Sequence, residues 1–200
     1  MARRETNDIV AEAKNSVVQA IHGVGDIAGA VADATSHTLV RVLQGTRATG
    51  SELGGMIKDT LLGTVQAVAQ VGGEVESTAS SIMVGALRGT QQVGKAGAEA
   101  VSSSAAALVK GAAEVGGDVG RTAKGAVAGA IEGARDIGMT AEQAASAAAS
   151  GALKGAGEVS STALDEVRDV VTKTISGVKV VITEPFRSVR PGEKKEGRPE

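Results

Sequence analysis

Two hundred residues with 28 Gly, 3 Pro, no Cys, Trp or Tyr and a single Phe argue against an ordinary enzyme core, in which aromatics bury much of the area. The absence of Cys excludes disulfides, thiolate-bound zinc and thiol catalysis, and two His cannot build a three-His metal site. A formal net charge of −2 gives no general attraction to nucleic acid.

The lead-in, residues 1–18, carries Arg3-Arg4 with no apolar run behind the pair. No secretory signal is expected, and the default location is cytoplasmic. The longest stretch free of Asp, Glu, Lys and Arg runs from Thr60 to Gly73, 14 residues, against the roughly 20 that a spanning helix needs. A conventional span is therefore not expected; association with a membrane surface, or an assembled pore, stays open as the alternative.

Residues 19–182 form a 22-residue repeat. Gly85-Ala86-Leu87-Arg88-Gly89 returns as Gly129-Ala130-Ile131-Glu132-Gly133 and Gly151-Ala152-Leu153-Lys154-Gly155, and the same frame starts at 19, 41, 63, 85, 107, 129, 151 and 173 without insertion or deletion. Twenty-two is twice eleven, and eleven residues close three helical turns at about 3.67 per turn, the hendecad period of right-handed supercoils. The ninth position (Ile27, Thr49, Val71, Val93, Val115, Ile137, Val159, Val181) reads in that frame as core. No Pro occurs before residue 185, so nothing there forbids helix. The fold expected is all-α: long hendecad helices in a right-handed coiled coil, extending to a helical barrel or tube.

On the helical wheel, one edge of the apolar arc carries larger residues, Ile21, Leu43, Val65, Leu87, Val109, Ile131, Leu153 and Ile175, and the other carries Gly23, Gly45, Gly89, Gly111, Gly133, Gly155 and Gly177. Each helical Gly costs about 1 kcal/mol relative to Ala, a burden that close helix approach offsets, since a missing side chain lets backbones touch. The large edge of one helix can lie in the glycine edge of the next, a heterologous contact that propagates between chains. The packing residues expected are these glycines with Ile21, Leu43, Leu87, Ile131, Leu153 and Ile175. A chain folded back as antiparallel helices is the other arrangement, with Gly50, Gly54-Gly55, Gly72-Gly73 and Gly116-Gly117 as turns. The opposite face mixes Lys110, Lys124 and Lys154 with Glu114 and Glu158, pairs four apart reading as ordinary surface charge.

No catalytic, cofactor or metal site is expected. Gly23-Val24-Gly25-Asp26 follows no strand and its glycines belong to the repeat, so it is not read as a dinucleotide loop. His22 and His37 have no convergent partners in the sequence. Residues 183–200 hold all three Pro and the Phe, and are expected to be disordered after Glu184-Pro185 stops the helix.

The period over 19–182 resembles the hendecad helices of apolipoproteins, synucleins, perilipin-type droplet coats and group 3 late-embryogenesis proteins, and Ala/Gly-rich bacterial repeat proteins; Lys173-Thr174-Ile175-Ser176-Gly177-Val178 is similar to a synuclein repeat. That resemblance implies surface-active or self-assembling helices without catalysis, and carries over no functional residue. An apolar face of Ala, Val and Gly favours tight packing over lipid coating. The expected function is a non-enzymatic structural protein that self-assembles as a homo-oligomer, without nucleic acid, cofactor or small-molecule substrate. The alternative is a membrane-associated or pore-forming helical protein, or a lipid or polymer granule coat.

Overall fold

From the unit at 19 to the unit at 151, each 22-residue unit closes one helix and opens the next. The computed structural model of the chain describes residues 2–21, 26–44, 51–175 and 177–180. Among these residues the chain is all-helical apart from one short hairpin: α1 (Ala2–Ile21), α2 (Ile27–Leu43), α3 (Ser51–Gln70), α4 (Val75–Gln92), α5 (Ala98–Glu114), α6 (Val119–Gly133), a 3-10 turn (Arg135–Ile137), α7 (Ala141–Val159), α8 (Ser161–Val171), and strands β1 (Thr174–Ile175) and β2 (Val178–Lys179). The longest helices have 20 residues. The expected long hendecad helices are instead short ones, about one per repeat.

From the third unit on, the break sits at the ninth and tenth frame positions, whereas α1 and α2 end at the third, Ile21 and Leu43. Val71, Val93, Val115 and Ile137 end their helical segments, and the glycine after each has a positive φ: 75° at Gly72, 68° at Gly94, 78° at Gly116 and 70° at Gly138. The hydrogen bonds are the same each time. Gly73 N–H donates to the Val68 carbonyl (2.8 Å) and Gly72 N–H to Ala69 (3.1 Å). Lys95 donates to Thr90 and Gly94 to Gln91, Gly117 to Ala112 and Gly116 to Ala113, Met139 to Ala134 and Gly138 to Arg135. These paired bonds are Schellman caps, which need a left-handed residue that glycine supplies at least cost. At these four units the ninth residue thus ends a helical segment instead of continuing a hendecad core, whereas Ile27 opens α2. Of the expected turns, Gly72-Gly73 and Gly116-Gly117 are turns, Gly54-Gly55 lie inside α3, and Gly50 falls outside the described residues.

Side-chain caps open several helices. Asp26 accepts from the Gly29 N–H, Asp118 from Arg121, and Ser160 from Ala163. At α7, Thr140 and Gln143 bond reciprocally in a capping box. Ser160 stands where four earlier units have the capping glycine; its extended backbone alone separates α7 from α8.

Helices pack most extensively with the next but one, α1 on α3, α3 on α5, α5 on α7, and likewise α2 on α4 and α4 on α6, with α8 beside both α6 and α7. The odd helices form one row and the even helices a second, and each turn carries the chain to the other row. Within a row the helices are parallel: Gly85 and Gly89 of α4 lie over Ala32 and Ser36 of α2, and Gly151 and Gly155 of α7 lie over Ser102 and Ala106 of α5. The buried core holds Leu39, Leu43, Ile57, Leu61, Ile82, Met83 and Leu87 toward the N-terminus, and mainly Ala in α7.

The described residues of the last repeat copy are not helical. Thr174 pairs with Lys179 and Ile175 with Val178 in an antiparallel hairpin, and Gly177 turns it at φ 79°. β-branched Thr, Ile and Val suit a pleated strand better than a helix. Val180 is buried behind it. The tail beyond residue 180, including Phe186, lies outside the described residues.

Candidate functional site

Two features could carry function: the glycine seams that hold each row together, and a lysine-lined groove across the odd row.

Among the glycines expected to pack helices, four face the preceding helix of their row. A Cβ on Gly89 would lie 2.9 Å from the Ser36 carbonyl oxygen and the Leu39 Cβ; on Gly133, 2.9 Å from Leu87 Cδ1; on Gly155, 2.5 Å from the Ala106 carbonyl oxygen. On Gly111 it would meet three Val65 carbons at 3.2 Å. All four contacts are within one chain, as in the folded-back arrangement and not the contact between chains. Gly177 turns the hairpin and has nothing within 4 Å of its Cβ position. Gly23 and Gly45 lie outside the described residues. Ile21, Leu43, Leu87 and Leu153 are buried, and Ile131 is half-buried against the core. Ile175 belongs to β1, so its place in a helix edge is corrected.

The closest approaches belong to residues the edge reading left out. A Cβ on Gly63 would run into the Val10 carbonyl oxygen, on Gly85 into Ala32, on Gly129 into Ser80 and on Gly151 into Ser102. These four occupy the first frame position. Their signal in the sequence was the phase-locked Gly-x-x-x-Gly at 85/89, 129/133 and 151/155, whose two glycines stand one turn apart on one face.

At the same frame position α5 carries Ala107. Its seam with α3 is made by side chains: Val65 meets Gly111, and Ser103 Oγ stands 3.1 Å from the Cβ position of Gly54. Beside this seam the surface opens into a groove of about 420 Å³. Lys58 of α3, Lys110 of α5 and Lys154 of α7 line it, with Glu158 at one end and Ser102 and Ser103 along it.

The expected pairs Lys110–Glu114 and Lys154–Glu158 are replaced by one between helices: Lys110 Nζ reaches Glu158 Oε2 at 2.6 Å. That bond raises the Lys110 amine above its ordinary value and lowers the Glu158 carboxyl below its own. Lys58 is lowered, first by the adjoining Lys110 amine and then by burial.

Buried hydroxyls are self-contained. Thr35, Thr38, Thr64 and Thr90 each donate to the carbonyl four residues earlier. Ser104 Oγ alone, among the described residues, is buried without a partner. His37 lies with Asp33 and Arg41 in a polar cleft of about 630 Å³ between α1 and α2. No group of three or more His, Cys, Asp or Glu among the described residues is placed to hold a metal ion. Of the Gly23–Asp26 stretch, the described Asp26 serves as the α2 N-cap; His22 lies outside the described residues.

Comparison with protein-family models, with curated proteins and with solved structures gives no match.

Proposed function

We propose that the chain is a non-enzymatic structural protein whose glycine seams act inside one molecule, giving a two-row helical scaffold with polar outer faces. The observation that carries this reading is the first frame position. Where a helix backs onto its row predecessor, the residue is Gly63, Gly85, Ala107, Gly129 or Gly151; on α1 and α2, which back onto nothing among the described residues, it is Gln19 and Arg41. Gln19 is exposed, and Arg41 pairs with Glu12 across α1 and α2. Long polar side chains there bar a second copy from extending either row by the same close contact.

The oligomeric coiled coil or barrel expected from the sequence needs the glycine edge free between chains, and from α3 to α7 that edge is occupied within the chain. The membrane and granule-coat alternative needs an outward apolar face. Among the described residues only Ile27 and Val159 are exposed large apolar side chains, and no helix is long and apolar enough to cross a membrane.

Light scattering with circular dichroism at micromolar concentration tests the reading. The expected result is a compact, highly helical monomer. Helicity that appears only with oligomers would return the seams to contacts between chains, and helicity induced by anionic vesicles would favour the lipid-coat alternative.

A further inference from the structure

We propose that the groove beside the α3/α5 seam binds a compact oligophosphate group through the amines of Lys58, Lys110 and Lys154. This inference goes beyond the scaffold role.

The groove follows from the repeat. Where the first frame position is glycine, that position meets the neighbouring backbone; α5 carries Ala107 there and meets α3 through Gly111 and Ser103, and the groove lies against Ala106 and Ala107. Its surface is low: Gly54, Gly55, Ser102 and Ser103 contribute no bulky side chain, and a Cβ on Gly55 would meet nothing within 4 Å. Three cations reach it from three parallel helices. Glu158 is spent on Lys110, while Lys58 and Lys154 form no ion pair within 4 Å among the described residues. Glu99 is the other carboxylate lining the groove.

Lys58 and Lys110 stand as like charges side by side, an arrangement that depresses the Lys58 amine and that a bound anion relieves. Lysine ammonium groups act as point charges toward phosphate oxygens, with the serine hydroxyls as further donors. Glu158 already neutralises one amine, so a singly charged anion gains little. A group with several charges over a short span engages Lys58 and Lys154 together and shares Lys110.

The test is calorimetric titration of the full chain at low salt with phosphate, pyrophosphate and ADP. The expected result is one saturable pyrophosphate site per chain, tighter than phosphate, and about tenfold weaker in each of Lys58→Gln and Lys154→Gln, as for one lost charge-assisted contact. Lys124→Gln, on α6 in the other row, should bind as the parent. ADP binding as well as pyrophosphate would assign the site to the phosphates of a nucleotide or a free oligophosphate alike; ADP excluded while pyrophosphate binds would assign it to a free oligophosphate. Absence of saturable binding overturns the proposal. So does binding unchanged in both groove variants, or weakened equally by Lys124→Gln, provided circular dichroism shows the variants folded. A second readout is thermal. Pyrophosphate should raise the melting temperature of the parent more than that of Lys58→Gln, which without the anion should melt no lower than the parent.

Discussion

The seams at the two ends of the molecule solve one packing problem in different registers. In α1/α3 and α2/α4, the carbonyl beneath the first-position glycine is at the fourteenth place of the 22-residue frame, extended back into the lead-in for the first: Val10 under Gly63, Ala32 under Gly85. In α4/α6 and α5/α7 it is at the eighteenth: Ser80 under Gly129, Ser102 under Gly151. The difference is one helical turn. The N-terminal part pairs its register with large buried side chains such as Leu39, Leu61 and Ile82; α7 is covered by Ala144, Ala145, Ala148, Ala149 and Ala152. The repeat therefore fixes which face of a helix is bare without fixing what it rests on. Backbone approach is close at both ends; toward the N-terminus large apolar side chains add buried area to it, and toward the C-terminus alanine adds less.

The largest expected effect comes from filling a C-terminal seam. Gly151→Leu would drive a side chain into the Ser102 backbone, which cannot yield as a flexible side chain does. A loss of about 3 kcal/mol or more is expected, at the upper end of overpacking costs. Chemical denaturation measures it, and hydrogen exchange should show the loss of protection beginning in α7 and α8. A loss below about 1 kcal/mol would mean that the α5/α7 seam is looser than described.

The N-terminal part should break in the opposite direction. Leu39→Ala removes a fully buried side chain that also stands against Gly89; truncation should cost about 2–3 kcal/mol by lost burial and the cavity left. Ala152→Gly in α7 removes one methyl and should cost nearer 1 kcal/mol. If the two losses proved equal, the difference in buried side-chain area between the two ends would not govern their stability.

How far the sequence discloses this fold can be judged at Val71-Gly72 and its counterparts. The all-helical class and the 22-residue phase are legible because glycine and large residues return without slippage. The break is not, because 22 residues suit two hendecads as well as one helix with a Schellman turn, and β-branched residues at the ninth place satisfy either. The tenth-place run Gly50, Gly72, Gly94, Gly116 and Gly138 was the discriminating signal, since a hendecad core has no use for glycine recurring there. The bare edge of Gly89, Gly133 and Gly155 was legible, whereas its partner helix was not, because that depends on where the chain reverses. The convergence of Lys58, Lys110 and Lys154 is hidden for the same reason: it arises only once α3, α5 and α7 lie side by side.

Smaller effects separate glycines that one sequence treats alike. Gly116→Ala should cost about 1 kcal/mol, because alanine resists the left-handed backbone although the space is open. Gly55→Ala should stabilise by about 1 kcal/mol, since it is helical and its Cβ position meets nothing. Melting temperatures of the two variants should therefore move in opposite directions. Movement in the same direction would show that backbone conformation and space do not govern these positions separately.

The smallest expected effect is electrostatic and lies in the C-terminal part, where Lys110 joins α5 to Glu158 of α7. Glu158 is lowered on folding, first by its hydrogen bond from Lys110. Its contribution is therefore present above the unfolded carboxylate range and lost as pH falls through the folded value. Lys110 is raised, so its contribution is present below the unfolded amine range and lost as pH rises through its folded value. Lys58 is lowered and has the reverse sign: its charge opposes folding while protonated, and that penalty lifts as it loses its proton at high pH. The Glu158 side chain is 46% exposed, so solvent screens the pair and Glu158→Gln should cost only a few tenths of a kcal/mol near neutrality. Between about pH 7 and about pH 3 that difference from the parent should vanish as the carboxyl gains its proton. A variant that stays less stable by the same amount at about pH 3 would place the role of Glu158 in packing across the α5/α7 seam instead of in its charge.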